Sequence, residues 1–152
     1  MAYSSAAARQ DLLDAVADSI DDLGRALAAL GAAYELLDEQ KADTLEEAMF
    51  GPVQVAYGRA RRTHTEFAGR HGLPARSFEM PAPGAPSGGL KGYLEDAVAA
   101  VTSADATLAT LQDSMMPIEV GDADLRAGLA NVRELVDEVP QRARALTRTF
   151  GR

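Results

Sequence analysis

Residues 16–37 read VADSIDDLGRALAALGAAYELL, and this stretch decides the fold class. Its large apolar residues recur at alternating spacings of four and three, the repeat of a helix that buries one stripe against other helices. Acidic residues fall between these positions. The stripe comprises Val16, Ile20, Leu23, Leu27, Leu30, Tyr34 and Leu37. The pattern predicts a long amphipathic helix, which we extend to residues 5–40.

Three further segments repeat this pattern, at residues 44–71, 89–116 and 122–150. Overlapping capping boxes that begin at Asp43 and Thr44 favour a second helix that starts there and kinks at Pro52. In the alternative, the first helix runs on to Phe50 and Pro52 starts the second helix.

The fourth segment carries its own boundary signals. Asp122 is a typical N-cap residue, and it stands directly before the apolar repeat. Pro140 lies inside the segment and removes the hydrogen bond to the Val136 carbonyl. We therefore expect a helix that starts after Asp122 and kinks or breaks at Pro140.

The helical pattern stops over residues 72–88, which contain four prolines and several glycines. We interpret this stretch as a loop that crosses the end of a bundle. The length of the chain fits a single domain over residues 1–152. The sequence thus predicts an all-α protein, an antiparallel up-down-up-down four-helix bundle with a long Pro/Gly-rich loop between helices 2 and 3.

Charge alternates along the chain. The net charge is −8 over residues 1–50, +3 over 51–80, −4 over 81–121 and +1 over 122–152. In an up-down-up-down bundle this order would place opposite charges on each pair of neighbouring helices. We therefore interpret the basic residues of the second helix as a charge-matched face. They are Arg59, Arg61, Arg62 and Arg70.

Composition excludes several classes of function. The chain has no cysteine, so thiol catalysis and zinc–thiolate sites are excluded. Its net charge of −8 argues against binding to nucleic acids or to anionic membranes. No apolar stretch approaches the ~20 residues of a transmembrane helix, and the first residues do not have the pattern of a signal peptide. We expect a cytoplasmic protein.

Two histidines on the apolar stripe of the second helix, His64 and His71, are the most unusual feature. The Glu-x-x-His pairs of a ferritin-like di-metal site are absent from the sequence. Seven residues span about 10 Å of helix, too far for both histidines to bind one metal ion directly. The candidate metal ligands are therefore one histidine with Glu95 or Asp96 from the third helix.

The apolar stripes are clear, and no group of polar residues converges in the sequence. We therefore expect a non-enzymatic helical bundle that has a structural or partner-binding role, with no cofactor, and whose partner is a second copy in a homodimer or another protein. The alternative is a bundle derived from a ferritin-like ancestor that binds a metal ion or small ligand near His64 and His71.

Overall fold

The structure is a computed structural model that describes residues 4–84 and 88–150. Over these residues the protein is all-helical, without β-strands. The helices are α1 (Ser5–Glu35), α2 (Glu39–Leu45), a π-helical turn (Glu46–Phe50), α3 (Gly51–Arg70), α4 (Gly89–Asp113), α5 (Met116–Glu119), α6 (Ala123–Val136) and α7 (Val139–Phe150). No helix in these ranges is both long enough and apolar enough to cross a membrane.

The first turn between helices lies earlier than the sequence predicts. Helix α1 ends at Glu35 rather than near residue 40. The carboxylate of Asp38 accepts a hydrogen bond from the Lys41 amide at 2.9 Å, so Asp38 caps α2. The second helical segment therefore begins at Glu39, and the predicted caps at residues 43 and 44 lie inside it.

The chain stays helical through Pro52, as the kinked-helix interpretation predicts, and a π-helical turn precedes α3. Proline has no N–H and cannot donate to the carbonyl four residues earlier, which belongs to Ala48. That carbonyl instead accepts a hydrogen bond from Arg142 Nη1 at 3.3 Å. The arginine of α7 thus provides a donor for the carbonyl that residue 52 would bind in a regular α-helix.

Both boundary signals of the last segment are confirmed. Asp122 Oδ1 accepts a hydrogen bond from the Leu125 amide at 2.8 Å and caps α6. The helix breaks between Val136 and Val139, directly before Pro140. Helix α4 ends at Asp113, three residues before the predicted end at 116.

Contacts between helices establish their directions. Arg9 Nε donates to the Val120 carbonyl at 3.0 Å, while Ala28 lies near Asp96, so α1 and α4 are antiparallel. Tyr34 contacts Phe50 just before α3, and Tyr57 lies beside Gly24 earlier in α1, so α1 and α3 are antiparallel as well. Helices α3 and α4 therefore run in the same direction.

Helix α6 contacts both α3 and α4, and helix α7 contacts α4. The Arg70–Asp122 and Arg59–Asn131 contacts make α6 antiparallel to α3. The most extensive helix contact joins α1 to α4, followed by α3 with α6, whereas α3 does not pack extensively on α4. The predicted up-down-up-down order does not agree with these contacts, because the second and third long helices are parallel and lie on a diagonal.

The physical reason lies in buried alanines, which the repeat of large apolar residues does not include. Small side chains allow two helices to approach each other closely. The buried alanines are Ala8, Ala17, Ala26, Ala28, Ala29 and Ala33 on α1, and Ala97, Ala100 and Ala104 on α4. Burial of apolar surface between the two helices outweighs the acidic charge that both carry, since exposed charges contribute little to stability.

Residues 72–84, which we call the strap, run from the end of α3 toward the opposite end of the molecule. The strap runs along α1 from Asp21, which binds Arg76, to Ala28 and Ala29, which lie near Gly84. The predicted loop at 72–88 is thus a lengthwise return rather than a crossing of the bundle end. Residues 85–87 lie outside the described part.

Candidate functional site

His71 and Asp122 form a polar cluster where α3 ends and α6 begins. The Asp122 carboxylate is 3.0 Å from His71 Nε2 and accepts two hydrogen bonds from Arg70, at 2.8 and 2.9 Å. Burial raises the pKa of Asp122, but hydrogen bonds from Arg70, the Leu125 amide and His71 outweigh it and hold this pKa well below its usual range. These contacts hold the C-terminal end of α3 against the N-terminal end of α6.

His64 is buried between α3 and the strap, with 3% of its surface exposed. Its ring packs edge-to-face on Phe78 at a centroid distance of 5.1 Å. Nδ1 has no hydrogen-bond partner within the described residues. Burial and then the charge of Arg76 lower the pKa of His64, while Asp14 opposes them. The imidazole is therefore neutral at pH 7.

The structure does not bring the four predicted metal ligands together. His64 faces the strap and His71 contacts Asp122, whereas Glu95 lies near Pro140 on α7. Asp96 lies on the other side of α4, near Arg25 and the end of the strap. Residues 4–84 and 88–150 contain no group of three or more His, Cys, Asp or Glu side chains that could hold a metal ion.

The arginines of α3 serve separate contacts. Arg59 donates to Asn131 on α6 at 3.1 Å, and Arg70 binds Asp122. The Arg61 guanidinium lies over the Tyr57 ring, 5.1 Å from its centroid. Of the four predicted residues, which also include Arg62, only Arg70 forms an ion pair in the part that the structure describes, so the predicted charge-matched face is reduced to one ion pair.

A cleft with a mainly apolar lining lies between α4 and α7. It has a volume of about 500 Å³. The facing positions Ala99, Pro140 and Ala143 are small or lack a long side chain, so the two helices leave a gap. Leu94 and Val98 form its apolar floor. A groove of this kind between two helices can take an apolar side chain or helix face.

The rim of this α4–α7 cleft is basic, although the protein carries a net charge of −8. Lys91 lies at one end and Arg144 and Arg148 along α7, with Glu95 as the one acidic residue of the lining. None of the three cations forms an ion pair within the described residues. Other basic residues of the protein do, including Arg70, which binds Asp122.

The cleft is not apparent from the sequence pattern, although part of the signal is present there. The break at Pro140 was predicted, and small residues at 99 and 143 are visible in the sequence. In the predicted bundle the third and fourth helices are already neighbours, but the apolar repeat does not show where two packed helices leave a gap.

No protein-family model matches the chain, and comparisons with curated proteins and with solved structures find no match.

Proposed function

We propose that this protein is a four-helix bundle that acts by binding a partner protein through the α4–α7 cleft. The observation that carries the proposal is the combination of an apolar floor with three rim cations that have no ion pair. The four predicted metal ligands lie apart, so we do not extend the proposal to a metal site.

The shape of the cleft supports a helix as the bound element. Two antiparallel helices form its walls, with Lys91 to Ala99 on one side and Pro140 to Arg148 on the other. Apolar side chains spaced by three and four residues on a partner helix would reach the floor at Leu94 and Val98. The partner is then an amphipathic helix, whose backbone groups form their own hydrogen bonds.

The charge of the rim supports an acidic partner. Lys91, Arg144 and Arg148 can each approach a carboxylate beside the apolar face of the bound helix. The rest of the protein is acidic and repels such a helix, so these cations would guide it to this one surface. Exposed ion pairs of this kind chiefly raise the association rate and the specificity, while the apolar contacts provide most of the affinity.

A pair of model peptides tests the proposal. One peptide has leucines at positions i, i+3, i+4 and i+7 flanked by glutamates, and the other has lysines in place of the glutamates. We expect the acidic peptide to bind in a fluorescence anisotropy titration, with affinity that falls as salt increases. The basic peptide should bind at least about tenfold more weakly.

Variants of the cleft locate the binding. Arg144→Glu with Arg148→Glu should abolish it, and Ala99→Trp should block the floor, since Ala99 is exposed and tolerates a larger side chain. Arg62→Glu is the matched control, because Arg62 is an exposed arginine on α3 outside the cleft. Equal binding of both peptides, or equal loss in the Arg62 variant, would refute the proposal. If the protein forms a dimer that Ala99→Trp dissociates, the occupant is a second copy rather than another protein.

A further inference from the structure

The strap is bound to the helices by side chains at three separate positions. Arg76 Nη2 donates to both carboxylate oxygens of Asp21, at 2.9 and 3.0 Å. Phe78 covers His64, with ring centroids 5.1 Å apart. The third position is Pro81, whose ring lies beside Gly24 on α1. These anchors follow the pattern Arg-x-Phe-x-x-Pro.

Helices α1 and α3 form a groove at these positions, which we call the α1–α3 groove. Gly24 has no side chain, and a Cβ built there would lie 3.6 Å from Pro81 Cδ and 3.5 Å from the Tyr57 ring. Tyr57 and His64 are buried on the α3 side, and Asp21 provides a carboxylate on the α1 side. An aromatic wall, a glycine that admits a proline ring and an acidic end together suit a segment that contains an arginine and a proline.

The strap does not provide a hydrogen-bond partner for every polar group of this groove, and parts of the strap remain exposed. No backbone hydrogen bond of residues 74–84 to the helices is present among the described residues. The Nδ1 atom of His64 remains without a partner beneath Phe78. Arg76 and Met80 are each about half exposed. A segment held in this way can be displaced, because each anchor can separate without breaking a helix or a sheet.

We propose that the α1–α3 groove is a peptide-recognition surface, which the strap occupies in cis and which takes an Arg-x-Phe-x-x-Pro segment of a partner protein in trans. The partner segment carries an arginine for Asp21, an aromatic ring for His64 and a proline for Gly24. Prolines in such a segment restrict its backbone before binding and reduce the entropy lost on binding. This surface is separate from the α4–α7 cleft and does not depend on it.

The test uses residues 74–84 as a labelled synthetic peptide, PARSFEMPAPG. The receptor is the full chain with residues 75–83 replaced by a Gly/Ser segment of the same length. We expect the peptide to bind this strapless chain, and to bind the wild-type chain at least about tenfold more weakly because the tethered strap competes at high effective concentration. Peptides with Arg76→Ala or Phe78→Ala should lose binding, and the Ser77→Ala peptide should bind as before.

A charge reversal distinguishes recognition from non-specific adhesion. Asp21→Lys in the strapless chain should abolish binding of the native peptide, and a peptide with Arg76→Glu should restore it. Asp18→Lys is the matched control, since Asp18 is an exposed carboxylate on α1 that does not contact the strap in the structure. Unchanged binding in the Asp21 variant would overturn the proposal, as would a folded strapless chain that does not bind the peptide.

A second receptor keeps the test decisive if the strapless chain fails to fold. The full-length Arg76→Ala, Phe78→Ala chain retains the strap but lacks two of its anchors. It should bind the native peptide more tightly than the wild-type chain does. If its circular dichroism spectrum is unchanged and its affinity for the peptide equals that of the wild type, the groove is not a recognition surface.

Discussion

Gly128 on α6 faces Thr63 on α3 so closely that a Cβ at position 128 would lie 2.2 Å from Thr63 Oγ1. Thr63 cannot rotate away freely, because it is buried and its hydroxyl donates to the Arg59 carbonyl at 2.8 Å. The absence of a side chain at Gly128 therefore determines how closely α3 and α6 pack.

Gly128→Ala should destabilise the protein. Overpacking of this kind costs about 1–3 kcal/mol, and the better helix propensity of alanine returns up to about 1 kcal/mol. We expect a net loss of about 1–2 kcal/mol in urea denaturation. Gly58→Ala is the control, since Gly58 lies in α3 with open space around its Cβ position, and it should stabilise the protein by ~0.5–1 kcal/mol. Equal effects of the two variants would contradict the close contact.

Asp122→Ala should be among the most destabilising polar substitutions in the described part. It removes the cap of α6, worth ~1 kcal/mol, together with the charged hydrogen bonds from Arg70, for a total of about 2–3 kcal/mol. The pKa of Asp122 is lowered from its ordinary value of 3.8, so this stabilisation is present above that pH and is lost as the pH falls below it. Asp124→Ala, at an exposed neighbouring carboxylate, should change stability by less than ~0.5 kcal/mol.

His64 should make the protein less stable in mild acid. Burial and Arg76 lower its pKa from 6.5, so the unfolded chain binds a proton more readily than the folded one. Stability is therefore complete above pH 6.5 and decreases as the pH falls below that value. Denaturation at a series of pH values should show a weaker dependence in His64→Leu than in the wild type. Phe78→Ala, which uncovers the ring, should also weaken it, and parallel curves for all three proteins would count against a buried neutral imidazole.

Arg142 and Pro52 should be energetically coupled through the Ala48 carbonyl. Arg142→Met leaves that carbonyl without its donor and should cost ~0.5–1.5 kcal/mol. In a Pro52→Ala background the restored amide can donate to the same carbonyl, so the loss from Arg142→Met should be smaller. A double-mutant cycle measures the difference, and strictly additive effects would show that the arginine does not replace the missing bond.

Local signals in the sequence predicted local structure well. Asp122 as a cap and the break before Pro140 follow from hydrogen-bond chemistry within one turn of helix. The start of the second helical segment was wrong, because Asp38, Asp43 and Thr44 are all good caps and the sequence does not rank them. Only the structure shows that Asp38 binds the Lys41 amide.

Helix order could not be predicted in the same way. The loop at 72–88 is long enough either to cross the end of the molecule or to return along its length, and the charge alternation favoured the first. The charge pattern did not determine the order, because α1 and α4, both acidic, pack on each other with buried alanines that the repeat of large apolar residues does not include. The strap contacts of His64 and the separation of Glu95 and Asp96 from the two histidines follow from the observed order.

The lengthwise return of the strap also has a consequence for folding kinetics. It makes α1 and α4 the most extensive pair, although α2 and α3 lie between them in the chain. Their interface can form only after a long loop has closed, whereas helices joined by short turns pair locally. We therefore expect this protein to fold more slowly than a bundle of sequential helical hairpins of the same size. We expect the transition state for folding to contain contacts between α4 and α1 already.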